Sequence, residues 1–371
     1  MSRGVFFAES SPNIGGQELQ LLQQAQALQE RGWAVRLLCR PGSRVGAEAV
    51  ARGLPVETVR FRGALDLPSL LRVAALAREH RPLALVCHSG HDANVCALAI
   101  RGAAALGLLR PRPRPRLLRM RTYQPGRAGA FAYNHLFDAS FTPSAGLRAQ
   151  LLANRAIRPD RVGVLYPAVD FRRLEQADGA LPPELEARLA QAGPVVVHAA
   201  MLRPEKGHAF MLQVVRALLP HLPGLLYVAA GDGVERARLE EQARRLGIAD
   251  HVHFPGLLQP VAPLLRRADV VVMPSLYEPL GMSQVEALAL GVPVVVSDVG
   301  GLPETVVHGE TGWICPSPAA PGALQAWTQA LEEVLADPAA ARSRALRGGA
   351  RVRVQFDPEV NLQALVRALE S

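Results

Sequence analysis

The sequence predicts an α/β protein of two doubly wound, Rossmann-like domains with a cleft between them. Three observations carry that prediction. Short apolar, β-branched runs recur along the 371 residues, and runs of that kind bounded by turn formers read as strands buried on both faces. Helical segments alternate with them, the pattern of parallel βαβ units. The series lapses over residues 166–193, which are charged and rich in turn formers, and then starts afresh. At ~100–200 residues per domain, the length suits two such units.

The elements follow in order. Residues 3–8 (RGVFFA) form the first buried strand, and the loop 9–16 leads into a helix from about Gln17. Leu21, Ala25 and Leu28 share one helical face, with Gly32 as the stop. Residues 34–39 return as a strand, closing a right-handed crossover. Further strands are expected at 83–87, 116–121 and 140–142, giving a first domain over 1–165. After the linker 166–193, strands at 194–199, 225–230, 252–254, 270–273 and 292–297 build a second domain over 194–345. Residues 346–371 form a helical tail whose amphipathic part, 356–369, offers Val360, Leu365 and Leu369 for docking back on the first domain. In open α/β sheets ligands bind beyond the carboxyl ends of the strands, so the loops there are the places to search.

Composition narrows the function classes. Apolar residues make up 49% and charged residues 20%, with 32 Gly and 30 Pro, which fits neither disorder nor collagen. Cys39, Cys87, Cys96 and Cys315 lack metal-ligand spacing and read as small buried thiols. No apolar run approaches the ~20 residues of a membrane span. Residues 5–8 are too few for a signal-peptide core, so a cytoplasmic protein is expected. Residues 1–165 hold 23 Arg, no Lys and 10 Asp+Glu, a formal +13; the remaining 18 basic and 23 acidic residues give −5. That asymmetry points the first domain at an anionic partner. Its densest run, Arg110, Arg112, Arg114, Arg116, Arg119 and Arg121, alternates with prolines and favours an extended conformation over a groove-reading helix, which argues against nucleic acid. An arginine-rich genome and a solvated stiff loop would produce the same run. Lys206 is the only lysine among 41 basic residues, and a lysine kept against that bias marks a place needing a compact ammonium.

The segment Glu278-Pro-Leu-Gly-Met-Ser-Gln-Val-Glu286 lies between a strand and a helix, with two carboxylates framing the turn. Ser283 and Glu286 have capping-box spacing, which alone could account for Glu286. Glu278 has no such account. A helix N-terminus there would hold a phosphate, and a carboxylate beside it would accept sugar hydroxyls.

With its context PSLYEPLGMSQVEALALGVPVVVSDVGGLPE, this pair resembles the signature of the GT-B-fold retaining glycosyltransferases, specifically glycosyltransferase family 4 and its bacterial surface-glycan members. The resemblance implies that Glu278 binds donor-sugar hydroxyls, that the amides of Gly281, Met282 and Ser283 bind sugar or phosphate oxygens, and that Glu286 binds the ribose diol. Gly15-Gly16 is similar to the family's N-terminal glycine pair, where the backbone approaches substrate. Met201-Leu-Arg203-Pro-Glu-Lys206-Gly resembles the diphosphate-binding stretch; Lys206 matches, while Met201 stands at the family's arginine and Arg203 lies two residues on. Gly231 matches the glycine turn under the nucleotide, and His253 and Phe254 lie in the segment whose backbone reads the base; both are also ordinary βα turns. Where the family often has a histidine near the donor sugar this chain has Gln124, with His88 and His91 as alternative hydrogen-bond donors.

No Asp-x-Asp pair occurs, so neither metal nor other cofactor is expected, with a UDP-, GDP- or ADP-linked sugar as co-substrate. The implied reaction moves that sugar, with retention, to a hydroxyl of an anionic glycan or glycolipid such as a lipopolysaccharide core precursor, at the inner face of the inner membrane. A sugar-nucleotide 2-epimerase of the same fold and a non-catalytic two-lobe sugar-binding protein are the alternatives.

Overall fold

A computed structural model describes residues 3–109, 113–121 and 128–371. The chain divides into two compact units, one of Met1–Ala168 with Pro358–Ser371 and the other of Val169–Asp357.

The first unit holds a seven-stranded sheet. Its strands are β1 (Gly4–Glu9), β2 (Ala34–Cys39), β3 (Val56–Thr58), β4 (Ala84–Cys87), β5 (Arg116–Met120), β6 (Ala139–Thr142) and β7 (Val162–Val164). The order is β3-β2-β1-β4-β5-β6-β7, and every pairing is parallel. Val5 and Phe7 face one way, against Leu21, Leu22, Ala25 and Leu28 of the helix Gly16–Glu30; Phe6 and Ala8 face the other, against Val73, Leu76 and Ile100. Period-two burial on both faces is why these strands read as unbroken apolar runs.

The second unit holds six parallel strands, β8 (Val195–Ala199), β9 (Leu226–Ala230), β10 (Val252–Gly256), β11 (Val270–Met273), β12 (Val294–Ser297) and β13 (Trp313–Cys315), in the order β10-β9-β8-β11-β12-β13. The two sheets are Rossmann-like, as the alternation of runs predicted. All four cysteines are buried free thiols.

Several boundaries differ from expectation. β3, β7 and β13 are additional strands of three residues each, all at sheet edges. The stretch expected as a linker carries the helices Phe171–Gln176 and Pro183–Gln191, both in the second unit. The tail divides. Helix Pro338–Gln355 stays with the second unit because Gly348 and Gly349 let it lie directly on Leu288, where an added Cβ would meet Leu288 at 2.7 and 2.5 Å. Helix Pro358–Glu370 joins the core of the first unit through Leu362, Leu365 and Leu369, whereas Val360 is exposed. Among the described residues no helix is long and apolar enough to cross a membrane.

Strand order locates the place where loops diverge. In the second sheet the chain runs β8, β9, β10 in one direction and β11, β12, β13 in the other, so the loops after β8 and β11 part above two adjacent strands. Such a switch point leaves a crevice at the carboxyl ends of the strands.

Candidate functional site

Lys206 ends a single 3-10 turn, Pro204–Lys206, in the loop after β8. Gly207 follows with φ +78°, and a Cβ there would lie 1.9 Å from the Pro274 carbonyl oxygen. Only glycine permits both the left-handed backbone and that approach, so the turn rests on the end of β11. The Leu276 amide donates to the Glu205 carbonyl at 2.8 Å and fastens the two loops.

This apposition brings the unique lysine to the first glutamate. Lys206 Nζ donates to Glu278 Oε2 at 2.6 Å, with side chains only 19% and 8% exposed. The Ser275 hydroxyl donates to the same oxygen at 3.3 Å, and the Glu278 carbonyl accepts from the Gly301 amide at 3.1 Å. An enclosed ion pair is weak evidence for stability, because desolvation offsets most of the attraction. Two opposite charges held at a switch point are better placed to exchange partners when a ligand arrives.

The helix Met282–Ala289 begins beside Glu278, after Gly281 at φ +85°, and no side chain caps it. Its first-turn amides thus lack a side-chain acceptor. Ser283 lies inside the helix, and its hydroxyl donates to the Ala199 carbonyl at 2.6 Å, tying the helix to the end of β8. The capping-box account of Ser283 and Glu286 therefore fails. Glu286 stands one turn along, on the face of Met282 and Ser283. It has no hydrogen-bond or ion-pair partner among the described residues, and burial pushes its carboxyl up to about 7.

The remaining expected residues of this unit surround that core. Arg203 opens the same turn half-exposed, its guanidinium 4.0 Å from Glu205. A Cβ on Gly231 would sit 2.0 Å from the Ala200 carbonyl oxygen, so the turn after β9 packs directly under the loop after β8. His253 and Phe254 lie on the edge strand β10: the His253 ring is 3.3 Å from Arg188, and the Phe254 carbonyl accepts from Arg236 at 2.8 Å. A cavity of about 540 Å³ adjoins the turn, lined by Pro204, Gly207, Phe210, Gln213, Leu276 and Ala320.

Sequence reasoning missed a polar cluster beneath the turn. The Tyr227 hydroxyl of β9 lies 2.9 Å from His198 Nδ1 of β8 and 3.1 Å from His208 Nδ1, and His208 Nε2 lies 3.2 Å from the Met201 carbonyl oxygen. The imidazoles stack with centroids 3.8 Å apart. Burial drives His208 down to about 4 and His198 well below its ordinary value, so both are neutral. The only signal was a histidine inside an otherwise apolar strand.

In the first unit Gly15 and Gly16 begin the helix Gly16–Glu30, and the Gly15 amide donates to Glu18 at 2.8 Å. A Cβ on Gly16 would meet nothing within 4 Å, so this unit's own packing does not require glycine there. His88, just after β4, is buried with Nδ1 unpartnered among the described residues, and desolvation lowers its imidazole to about 3. His91 is exposed in the first turn of helix Gly90–Ala105 rather than in the preceding loop. Gln124 lies outside the described residues, as do Arg110 and Arg112. The basic run is not one free patch: Arg114 forms a bidentate pair with Asp138 at 2.7 and 2.6 Å, and Arg119 is buried over the rings of Tyr133 and Phe137. Two carboxylates were also missed. Glu9, fully buried at the end of β1, accepts from Ser11, Ser89 and Gln17, and Asp92 accepts from three backbone amides.

Solved structures define the class as GT-B. Anabaena HepE in complex with UDP-glucose superposes with a TM-score of 0.82 at 22% identity over 99% of both chains. A glycosyltransferase from Rickettsia africae gives 0.83 at 15% identity, covering 100% of this chain and 98% of that one. Residues 14–173 match the family model described as Glycosyltransferase Family 4, and residues 186–351 match that described as Glycosyl transferases group 1. Among curated relatives, glycogen synthase of Mycobacterium tuberculosis is 38% identical over 175 residues, 46% of this chain and 41% of that protein. D-inositol 3-phosphate glycosyltransferase of Streptomyces scabiei is 35% identical over 188 residues, 48% and 42%. The 2-deoxystreptamine glucosyltransferase of Streptomyces kanamyceticus is 34% identical over 184 residues, 48% and 46%. The matched stretch thus spans less than half the length of these relatives.

Proposed function

We propose that this protein transfers a sugar from a nucleoside-diphosphate sugar to an acceptor hydroxyl, with retention and without a metal. The observation that carries the reading is the Lys206–Glu278 pair at 2.6 Å beside an uncapped helix N-terminus. In the free protein Glu278 holds the ammonium. When the donor binds, Lys206 swings to its diphosphate, and the freed carboxylate accepts hydroxyls of the donor sugar. The amides of Gly281, Met282 and Ser283, with the helix dipole behind them, take phosphate or sugar oxygens. Glu286, one turn on, accepts the ribose diol, and Arg203 supplies a second cation in place of the family arginine replaced by Met201.

Catalysis in this reading is electrostatic. Negative charge grows on the departing diphosphate as the glycosidic bond breaks, and prepositioned positive groups stabilise that charge more than they stabilise the ground state. Attack comes from the same face, and the leaving phosphate takes the acceptor proton. Gly15 and Gly16 in the first unit admit substrate backbone-close, with His88, His91 and Gln124 as the candidate hydrogen-bonding groups of that unit. The formal +13 over residues 1–165 supports an anionic glycan or glycolipid acceptor of the lipopolysaccharide-core kind at the inner membrane surface. That finer statement rests on charge, because the curated names point instead to glycogen, inositol phosphate and 2-deoxystreptamine.

Calorimetric titration with UDP, GDP and ADP tests the donor. One of them should bind, and Lys206→Gln, which keeps a hydrogen bond to Glu278 but loses the charge, should weaken it about tenfold or more and lower turnover by roughly 10²–10³. Full activity in that variant would remove Lys206 from the mechanism. Failure of all three nucleotides to bind would sink the reading as a whole.

A further inference from the structure

We infer that His208, held in its orientation by Tyr227 and His198, is a positioning residue that braces the loop carrying Arg203 and Lys206. The inference rests on the proposed donor site. Hydrogen-bond chemistry orders the chain of contacts. A carbonyl oxygen can only accept, so His208 Nε2 carries the hydrogen and donates to Met201 at 3.2 Å. The neutral ring then has a lone pair at Nδ1, which accepts from the Tyr227 hydroxyl at 3.1 Å. With its only hydrogen committed, the Tyr227 oxygen accepts from His198 Nδ1 at 2.9 Å. His198 Nε2 is left as a bare lone pair, which agrees with its having no partner among the described residues. Every donor in the chain is used, and the direction runs from β8 through β9 to the loop.

The end point of the chain is what gives it consequence. The Met201 carbonyl also accepts from the Arg203 amide at 2.9 Å, so its oxygen closes the turn that launches Arg203, and the Lys206 amide then donates to Arg203 at 3.0 Å. Met201 itself is exposed and packs into no core. Besides the Met201 carbonyl, the backbone here is anchored at Leu202, whose amide donates to Asp232 at 3.0 Å, whose carbonyl accepts from Glu235 at 3.1 Å and whose side chain is buried, and at Glu205 by the Leu276 clasp. Removing the donor to Met201 loosens the turn that aims both cations between its anchors at Leu202 and Glu205, whereas the strands beneath keep their ladders.

The geometry of amides separates this role from simple packing. A glutamine at 208 places its amide nitrogen where Nε2 was and retains the donor to Met201; an asparagine reaches only the Nδ1 position, towards Tyr227. In the ligand-free protein, hydrogen exchange over residues 200–207 should be faster in His208→Asn and close to wild type in His208→Gln. Tyr227→Phe, which deletes one hydroxyl, should also speed it. In calorimetry with whichever of UDP, GDP or ADP the wild type binds, His208→Asn should lose about tenfold in affinity, the effect of one buried hydrogen bond, and His208→Gln should restore it. Equal exchange and equal affinity in the Asn and Gln variants would overturn the inference. If wild type binds none of the three nucleotides, the donor reading fails, and the exchange measurement still decides the brace.

Discussion

At Glu286 burial is unopposed: the carboxyl rises to about 7, and no partner among the described residues accompanies it. An acid raised in the fold favours its protonated form there. The stability it permits is complete below its unfolded value of ~4.3 and is lost as pH climbs through the folded value. Glu286→Gln should therefore unfold at higher urea than wild type at pH 8, by about 1–3 kcal/mol, with the gain shrinking towards pH 4.5. Urea titrations at three pH values read it, and a variant no more stable at pH 8 would refute the burial argument. The same variant should bind nucleotide more weakly, the signature of a group kept at a cost in stability. Single residues were legible where chemistry leaves a mark in one place: a lone lysine, or two carboxylates around a turn. Their pairing was not, because Lys206 and Glu278 are 72 residues apart and meet only through strand order. Spacing also misled at Ser283, whose hydroxyl serves Ala199 on another strand instead of its own helix.

Among the elements, the helix Gly16–Glu30 offers a separation of function from stability. Gly16 is its first residue, with no positive φ and open space where a Cβ would go. Gly16→Ala should leave the melting temperature unchanged or raise it, since alanine at a compatible site gains ~0.4–1 kcal/mol by restricting the unfolded chain. If substrate approaches that backbone, initial transfer rates should fall nonetheless. Unchanged rates would show that the glycine pair is not a contact surface. Buried central strands and this helix were legible from period and length. The edge strands VET, VGV and WIC were not, since three residues carry too little pattern and an edge needs no second apolar face. The boundary expected between 345 and 346 falls inside the helix Pro338–Gln355 for a similar reason: what fixes that helix is a close approach at Gly348 and Gly349, which hydropathy does not record.

For the molecule as a whole, the unequal charge of the two halves is legible in the sequence, but its meaning depends on which arginines are free. Arg114 and Arg119 are committed within the first unit, so they cannot serve an outside partner without cost. Arg44, Arg60 and Arg62 are exposed, and they follow the carboxyl ends of β2 and β3. A cation near an anionic leaflet gains ~1 kcal/mol, screened within a Debye length of ~10 Å at 0.1 M salt. Sedimentation with anionic vesicles should then show binding that weakens steeply as salt rises, and little binding to neutral ones. Replacing Arg44, Arg60 and Arg62 together with serine should reduce vesicle binding by up to about a hundredfold. Nucleotide affinity should not change, because the nucleotide groups proposed above all lie in the second unit. Equal partitioning onto both vesicle types would trace the charge to arginine-rich coding alone. Loss of nucleotide affinity in the triple variant would place those arginines at the donor instead, and the acceptor would then be sought among neutral polyols.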